Sequence, residues 1–254
     1  MNNAIVLIFP LVNVVVTALF ASVVLRQYLR RHRVYQLYWS IALGMAFLAT
    51  LAYVLMIAAR PASQAGVVFF RLYYILGAGL MPSWLGLGSI ALVASKRITN
   101  ICVAALSILS LLTIIFIATA SIDMQQLSHI AGTPGAGVLQ PGVWLVMIIV
   151  LNSLGVIAVA GVAAYSAWKL LQKQATVAGF HAGNLFWANI LILSGTLLIA
   201  APGLLARLGI ENVFWLIMAL GWIVFFSGVL LTSAARGRRP ATEAQQTVSE
   251  TSRA

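Results

Sequence analysis

Phe69-Phe70-Arg71-Leu72-Tyr73-Tyr74-Ile75-Leu76-Gly77-Ala78-Gly79-Leu80-Met81-Pro82-Ser83-Trp84-Leu85-Gly86-Leu87-Gly88-Ser89 is one long apolar stretch that runs on to the basic pair Lys96-Arg97. It meets the requirement of roughly 20 residues for crossing a bilayer. It also carries four glycines, a central Pro82 and, two residues on, Trp84. A helix immersed in plain lipid needs none of these. Projected at about 100° per residue, Gly79, Pro82, Ser83 and Gly86 fall on one face, where small side chains let a neighbouring backbone come close. Tyr73, Gly77, Trp84 and Gly88 fall on the other, with a glycine on each side of the Trp84 indole. Pro82 cannot donate to the Ala78 carbonyl, which leaves that oxygen for water, a side chain or a ligand. Two readings are open: a centrally packed helix with a proline kink, or a helix that lines a cavity at mid-depth.

Working outward, the whole chain shares this character. Over 254 residues it is 62% hydrophobic and 7% charged, with a mean hydropathy of +1.03. That composition excludes a soluble globular domain and a disordered chain. The net charge of +11 lies in short clusters between apolar runs, the orientation pattern of a membrane protein and not a nucleic-acid surface. The single cysteine, Cys102, sits in an apolar run and excludes intramolecular disulfides, CxxC redox chemistry and thiolate zinc sites. No metal or cofactor is expected.

Seven apolar segments are each long enough to span, at about residues 4–25, 36–58, 70–94, 99–119, 142–169, 183–202 and 213–235. The expected fold is all-α, a seven-transmembrane-helix bundle forming one domain over residues 1–239. Residues 240–254, rich in Thr, Ser, Gln and Ala, read as a disordered cytoplasmic tail. The first span is preceded by no positive charge and followed by Arg26, Arg30, Arg31 and Arg33, the wrong polarity for a cleaved signal peptide. Alternate connections then hold Lys96 and Arg97, Lys169 and Lys173, and Arg236, Arg238 and Arg239. The other set holds Arg60, Arg71 and Arg207 with the acids Asp123 and Glu211. By the positive-inside rule the N-terminus is outside and the C-terminus is cytoplasmic. Tyr38, Trp39, Trp168, Phe186 and Trp187 are expected as an inner aromatic belt, and Trp144, Phe214 and Trp215 as an outer one. The long external loop 120–141, with His129 and a run of Gly and Pro, reads as a flexible connector in preference to a lid.

The first three spans align with the last three. Asn13 corresponds to Asn152, Leu37-Tyr38-Trp39 to Leu185-Phe186-Trp187, and Ile57-Ala58-Ala59-Arg60-Pro61 to Ile199-Ala200-Ala201-Pro202. Val68-Phe69-Phe70 matches Val213-Phe214-Trp215, and Trp84 falls near the position of Trp222. With the fourth span as an inverter, this is a possible 3+1+3 parallel repeat. The plan resembles that of SWEET and PQ-loop transporters and of opsin-like sensor bundles. The likeness covers the seven spans without a diagnostic motif: Gln140-Pro141 reverses the Pro-Gln pair. The basic loop Arg30-Arg31-His32-Arg33 with Trp39, and the third helix Arg71-Leu72-Tyr73-Tyr74 … Leu85-Gly86-Leu87-Gly88, also resemble uncharacterised seven-helix bacterial inner-membrane proteins. These likenesses imply a multi-pass protein of a bacterial plasma membrane and bring no activity.

No Asp, Glu, Lys or His lies deep in any span, which argues against a proton relay or ion-coupled pump. Lys96, Lys169 and Lys173 are at or beyond the basic boundary, so a retinal Schiff base within the bundle is excluded. Haem ligation would need histidines at depth, but His32, His129 and His181 are in connections. Ser89 and His181 have a formal likeness to an intramembrane serine–histidine dyad. However, Ser89 sits about 10 Å inside Lys96 by helix rise while His181 precedes its helix, so the hydrolase reading is remote. Uncharged polar groups remain. Asn13, Trp84 and Trp222 lie about 18–21 Å from the nearest basic boundary by helix rise, and Asn152 somewhat higher. They are either interhelical glue and core, or, with Pro82 and Tyr73, the walls of a mid-membrane pocket for a small neutral or apolar ligand. Arg71, Asp123 and Glu211 form a candidate charge cluster at the outer mouth, with Arg71 alternatively snorkelling to the interface.

The leading functional expectation is therefore a non-enzymatic ligand-binding membrane protein, a sensor or an accessory to a membrane protein partner or to copies of itself. The runner-up is a facilitative transporter of a small uncharged solute. The orientation is directly testable: single cysteines introduced in a Cys102→Ser background should label from the cytoplasmic side at Arg30 and from the outside at His129. Labelling of His129→Cys from the cytoplasm alone would reverse the orientation.

Overall fold

The computed structural model describes residues 3–174 and 180–237, with side chains over 7–172 and 184–232. The side chains of Lys173, His181 and Arg236, together with Arg238, Arg239 and the tail 240–254, lie outside the described residues. The helices are α1 (Asn3–Arg31), α2 (Val34–Ala58), α3 (Gln64–Tyr73), α4 (Met81–Val93), α5 (Lys96–Thr119), α6 (Met124–Ser128), α7 (Val143–Gln174), α8 (Phe180–Arg207) and α9 (Phe214–Gly237). A π-helical segment, Tyr74–Leu80, joins α3 to α4 and makes them one span. The described residues are thus all-helical, and seven stretches are long and apolar enough to cross a membrane.

Local chemistry sets the boundaries. His32, in the left-handed region at φ 48°, turns α1 into α2, so the two must pack as antiparallel neighbours. Ser63 Oγ accepts from the Gly66 N–H at 3.0 Å and caps α3, and Ser95 Oγ accepts from the Ile98 N–H at 3.4 Å at the start of α5. Helices run beyond the expected spans at their basic ends, because a charged sequence such as Arg26–Arg31 ends the apolar run without ending the helix. The sixth span was also expected to stop at Pro202. Instead α8 passes through that residue to Arg207, at the loss of only one intrahelical bond.

The third span departs most from an ideal helix. A proline at position 82 lacks the donor for the Ala78 carbonyl and would press its ring on it. The preceding turn relieves this by widening: the Met81 N–H reaches back five residues to the Leu76 carbonyl. This rotates α3 relative to α4, so each face expected from a uniform projection loses a member: Pro82, Ser83 and Gly86 keep the small-residue face against α7, while Gly79 leaves it. Gly79 abuts Thr113 and Ile117 of α5, whereas Gly86 abuts Gly155 of α7. Gly77 meets Ala49 of α2, and Gly88 seats the indole of Trp39, not of Trp84. Trp39 Nε1 donates to the Leu85 carbonyl at 3.2 Å over that glycine.

Neighbour relations close a ring in the order α1, α2, α3–α4, α7, α8, α9 and back to α1. α5 stands outside it, against the π segment, α4 and α7. Its outward side carries Ile101 and Ile108, 62% and 63% exposed, and Ile157 of α7 is 66% exposed. Such residues need lipid around them. Inside the ring, one core cluster gathers Tyr53, Phe70, Tyr73, Trp144 and Trp215 near the long loop, and another gathers Phe20, Leu43, Leu85, Trp222 and Phe225 nearer the basic end.

The α4–α7 crossing is a backbone-to-backbone contact. A Cβ on Gly86 would stand 2.8 Å from the Gly155 Cα, and one on Gly155 would overlap the Pro82 carbonyl. Gly155→Ala should therefore lower the melting temperature, by the roughly 1–3 kcal/mol typical of overpacking. Gly161→Ala, on the same helix with nothing within 4 Å of its Cβ position, should not lower it. Equal melting temperatures for the two variants would show that the helices do not approach this closely.

Candidate functional site

The connection between α5 and α7 is folded, which corrects the expectation of a flexible connector. Ile122 and Leu139 form an antiparallel bridge, with the Asp123 N–H on the Val138 carbonyl at 2.8 Å and the Gln140 N–H on the Ser121 carbonyl at 3.1 Å. Asp123 Oδ1 accepts from the N–H groups of Gln125 and Gln126 and caps α6. Leu127, Ile130, Val138 and Leu139 are buried beneath. The Tyr53 hydroxyl anchors the whole from α2. It accepts from the Gly132 N–H at 3.0 Å and donates to the Thr133 carbonyl at 2.9 Å, with the Ile130 carbonyl alongside at 3.3 Å. The connection is a cap seated on the end of the ring.

Beneath the cap lies a cavity of about 660 Å³. Lining residues from Trp144 to Val159 give it a length of about 22 Å along α7, by helix rise. Tyr73, Tyr74, Trp144 and Trp215 wall it on the cap side, and Leu85, Val159 and Trp222 are among its deepest residues. Several of its polar side chains are already engaged. Thr50 Oγ1 donates to the Ala46 carbonyl at 3.0 Å, and Thr196 Oγ1 to the Ile192 carbonyl at 2.7 Å. Asn152 and Trp215 are exceptions: Asn152 Oδ1 and Trp215 Nε1 are buried with no hydrogen-bond partner. Charge enters only at the rim, where Arg207 and Glu211 stand between α8 and α9. Among the described residues no group of His, Cys, Asp or Glu is arranged to hold a metal ion. The arrangement offers aromatic surface with a few uncharged polar groups, chemistry suited to retaining a largely apolar molecule.

Of the residues singled out from the sequence, Tyr73, Pro82, Asn152 and Trp222 line this cavity, and Asn13 and Trp84 do not. Asn13 is fully buried, and its Nδ2 donates to the Phe9 carbonyl at 2.8 Å and the Trp215 carbonyl at 3.1 Å, tying α1 to α9. Trp84 does not face Trp222 across a void. The π segment turns it outward, where Nε1 donates to Ser110 Oγ on α5 at 3.1 Å and its ring leans on Tyr38. Trp222 packs at its sides on Phe20 and Phe225. Ser89 is buried and its Oγ donates to the Leu85 carbonyl at 3.3 Å, while the His181 side chain is outside the described residues.

The outer-mouth charge cluster is likewise corrected. Arg71 neither pairs with an acid nor snorkels: its guanidinium donates to the carbonyls of Ile117, Ala118 and Ala120 and caps the C-terminus of α5. Asp123 is spent on α6, and Glu211 lies apart with Arg207 at the cavity rim. Trp144, Phe214 and Trp215, expected as an outer belt, are core residues, whereas Trp168 and Trp187 are exposed as a belt requires. Among the cavity residues that sequence reasoning missed are Tyr74, Trp144, Trp215 and Arg207 and, from the cap, Pro134, Ala136, Gly137, Leu139 and Pro141. The available signal was in the loop itself, where Leu127, Ile130, Val138 and Leu139 are too apolar for a solvated connector.

The chain is thus an all-helical bundle with the character of an integral, multi-pass membrane protein, ringed about a cavity under the cap. No protein-family model matches it, and neither the curated proteins nor the solved structures contain a match.

Tyr53 is the pin of the cap. Tyr53→Phe leaves the Gly132 N–H and Thr133 carbonyl without their partner, a loss of about 1–3 kcal/mol where such groups stay buried. Backbone hydrogen exchange across residues 130–134 should accelerate in that variant while the ring helices stay protected. Tyr73→Phe, which loses only a 3.4 Å bond to the Pro134 carbonyl, should change it less. Unchanged exchange in Tyr53→Phe would mean the hydroxyl does not hold the cap.

Proposed function

We propose that the protein binds a small, neutral, largely apolar molecule in the cavity beneath the cap and acts, without catalysing a reaction, as a sensor or as an accessory subunit to another membrane protein. The observation that carries this is the cavity itself: about 660 Å³, aromatic-walled, and furnished with one buried, unpartnered amide oxygen at Asn152. A pocket of that size and lining retains a ligand by burying its apolar surface and orients it by few polar contacts. In this reading the positive-inside count sets the cap outside and the basic end in the cytoplasm, in a bacterial inner membrane.

One observation favours the second reading, a facilitator for a small uncharged solute. A separate opening of about 390 Å³ enters the ring from the basic end. Thr196 lines the capped cavity and Ile192 the basic opening, one helical turn or about 6 Å apart on α8. Leu43, Leu85, Val159, Trp222 and Phe225 pack into the septum between them. The glycines and widened turn of the third span, beside that septum, are where such a bundle would flex.

Gly203 lines the cavity with nothing within 4 Å of its Cβ position, so a large side chain there fills the void without displacing core. The neutral fluorophore N-phenyl-1-naphthylamine should bind the wild type and bind Gly203→Phe at least tenfold more weakly at equal melting temperature. Absence of saturable binding to the wild type, or equal binding to both, would remove the cavity as a ligand site. Thr196→Cys in a Cys102→Ser background separates the two readings. A membrane-impermeant thiol reagent should reach it from the cap side only in a sensor, and from both sides in a facilitator.

A further inference from the structure

The basic-end opening differs in chemistry from the capped cavity. Arg31 from the last turn of α1, Tyr35 and Gln36 from the start of α2, Lys169 from α7 and Asn189 from α8 all line it. Asp123 and Glu211 are the only acids among the described residues, and both belong to the cap end. Among the described residues neither cation therefore has a carboxylate beside it. Lys169 Nζ instead reaches the Tyr165 hydroxyl at 3.4 Å and lies 5.5 Å over that ring. Gln36 is 2% exposed, and its Oε1 is buried without a hydrogen-bond partner. A buried amide oxygen left unpaired is uncommon in folded chains and marks a missing donor.

These features specify a ligand. Two cations with no carboxylate among the described residues, at the boundary of a helix ring, suit an oxyanion, and a guanidinium with an ammonium is a pairing that phosphate takes. Gln36 Oε1 only accepts, so a fully ionised oxyanion leaves it unsatisfied and the ligand also needs a donor, which a hydroxyl supplies without adding charge. We infer that the vestibule binds a polyol phosphate, its phosphate held by Arg31 and Lys169 and a hydroxyl donating to Gln36 Oε1. The exposed side chains of Leu92, Val93 and Tyr165 line the same vestibule and give it an apolar lip continuous with the outer surface of the bundle. That lip admits a phospholipid whose headgroup enters while its chains stay outside, as in other basic pockets between membrane helices. A soluble polyol phosphate offers the same chemistry without the chains. The site stands independently of what the capped cavity holds.

The test uses the full chain purified in mild detergent, with lipid retention read by native mass spectrometry. Wild type should retain phosphatidylglycerol at least tenfold over both phosphatidylcholine, which lacks net negative charge, and phosphatidylmethanol, which lacks the hydroxyls. The double substitution Arg31→Gln with Lys169→Gln should abolish that preference. Arg30→Gln with Arg97→Gln, exposed cations at the same end that do not line the vestibule, should preserve it. In the soluble arm, sn-glycerol 3-phosphate is titrated in calorimetry against lipid-free protein. Binding that depends on Arg31 and Lys169 but accompanies no lipid retention assigns the site to a soluble ligand; retention of phosphatidylglycerol assigns it to a headgroup. Equal retention of phosphatidylglycerol and phosphatidylmethanol, equal loss in the two double variants, or no response in either arm would overturn the inference.

Discussion

Where the third span crosses α7, the backbones of Pro82 and Gly86 rest directly on Gly155. Hydrophobic burial does little to join helices in a bilayer, since lipid chains are as apolar as leucine. Close van der Waals approach of this kind has to do the work, and it requires residues without side chains on both partners. The crossing also fixes the shape of the interior. α4 is pressed on α7 below Pro82, whereas the widened turn Tyr74–Leu80 above it carries α3 away towards α2 and α5. The space that opens between them is the capped cavity. One proline and one glycine pair thus decide both where the ring is tight and where it is hollow.

The cap depends on that divergence. Tyr53 and Tyr73 project from α2 and α3 to receive the carbonyls of residues 130–134, and Arg71 holds the end of α5, from which the cap begins. Buried backbone groups at the end of a bundle must find partners within the protein. Here two phenols and a guanidinium supply them, and the loop gains a defined path that its glycines alone would not give it. The rim charges Arg207 and Glu211 stay beside the cap, where they remain hydrated, so the interior is left almost free of charge.

The two ends of the ring consequently address different chemistry. The capped end is aromatic and uncharged within, and the basic end sets Arg31 and Lys169 around an amide at the floor of a vestibule. Between them Leu43, Leu85, Val159, Trp222 and Phe225 form a septum about one to two helical turns thick, or about 6–10 Å. The side chains that fill that septum are apolar, and the hydrogen bonds that cross it, from Thr196 to the Ile192 carbonyl and from Trp39 to the Leu85 carbonyl, end on backbone.

Seven spans, their order and the basic clusters were legible in the sequence because hydropathy and charge are properties of single residues summed over a window. The same holds for Pro82 as a point of irregularity, and for Asn152 and Trp222 as residues at depth. Direction was not legible. A uniform turn angle carried Trp84 to the wrong neighbour, because one widened turn rotates everything after it. Nor does a window distinguish an interfacial tryptophan from a core one: Trp215 lies where a belt residue would, yet packs on Tyr53 at a ring separation of 4.3 Å. Arg71 had two acids within its half of the molecule and took three carbonyls, since the end of α5 presented unpaired acceptors closer than either carboxylate. Which helix a residue sits on is written locally; what it touches is set by how helices cross, and only the tertiary structure decides that.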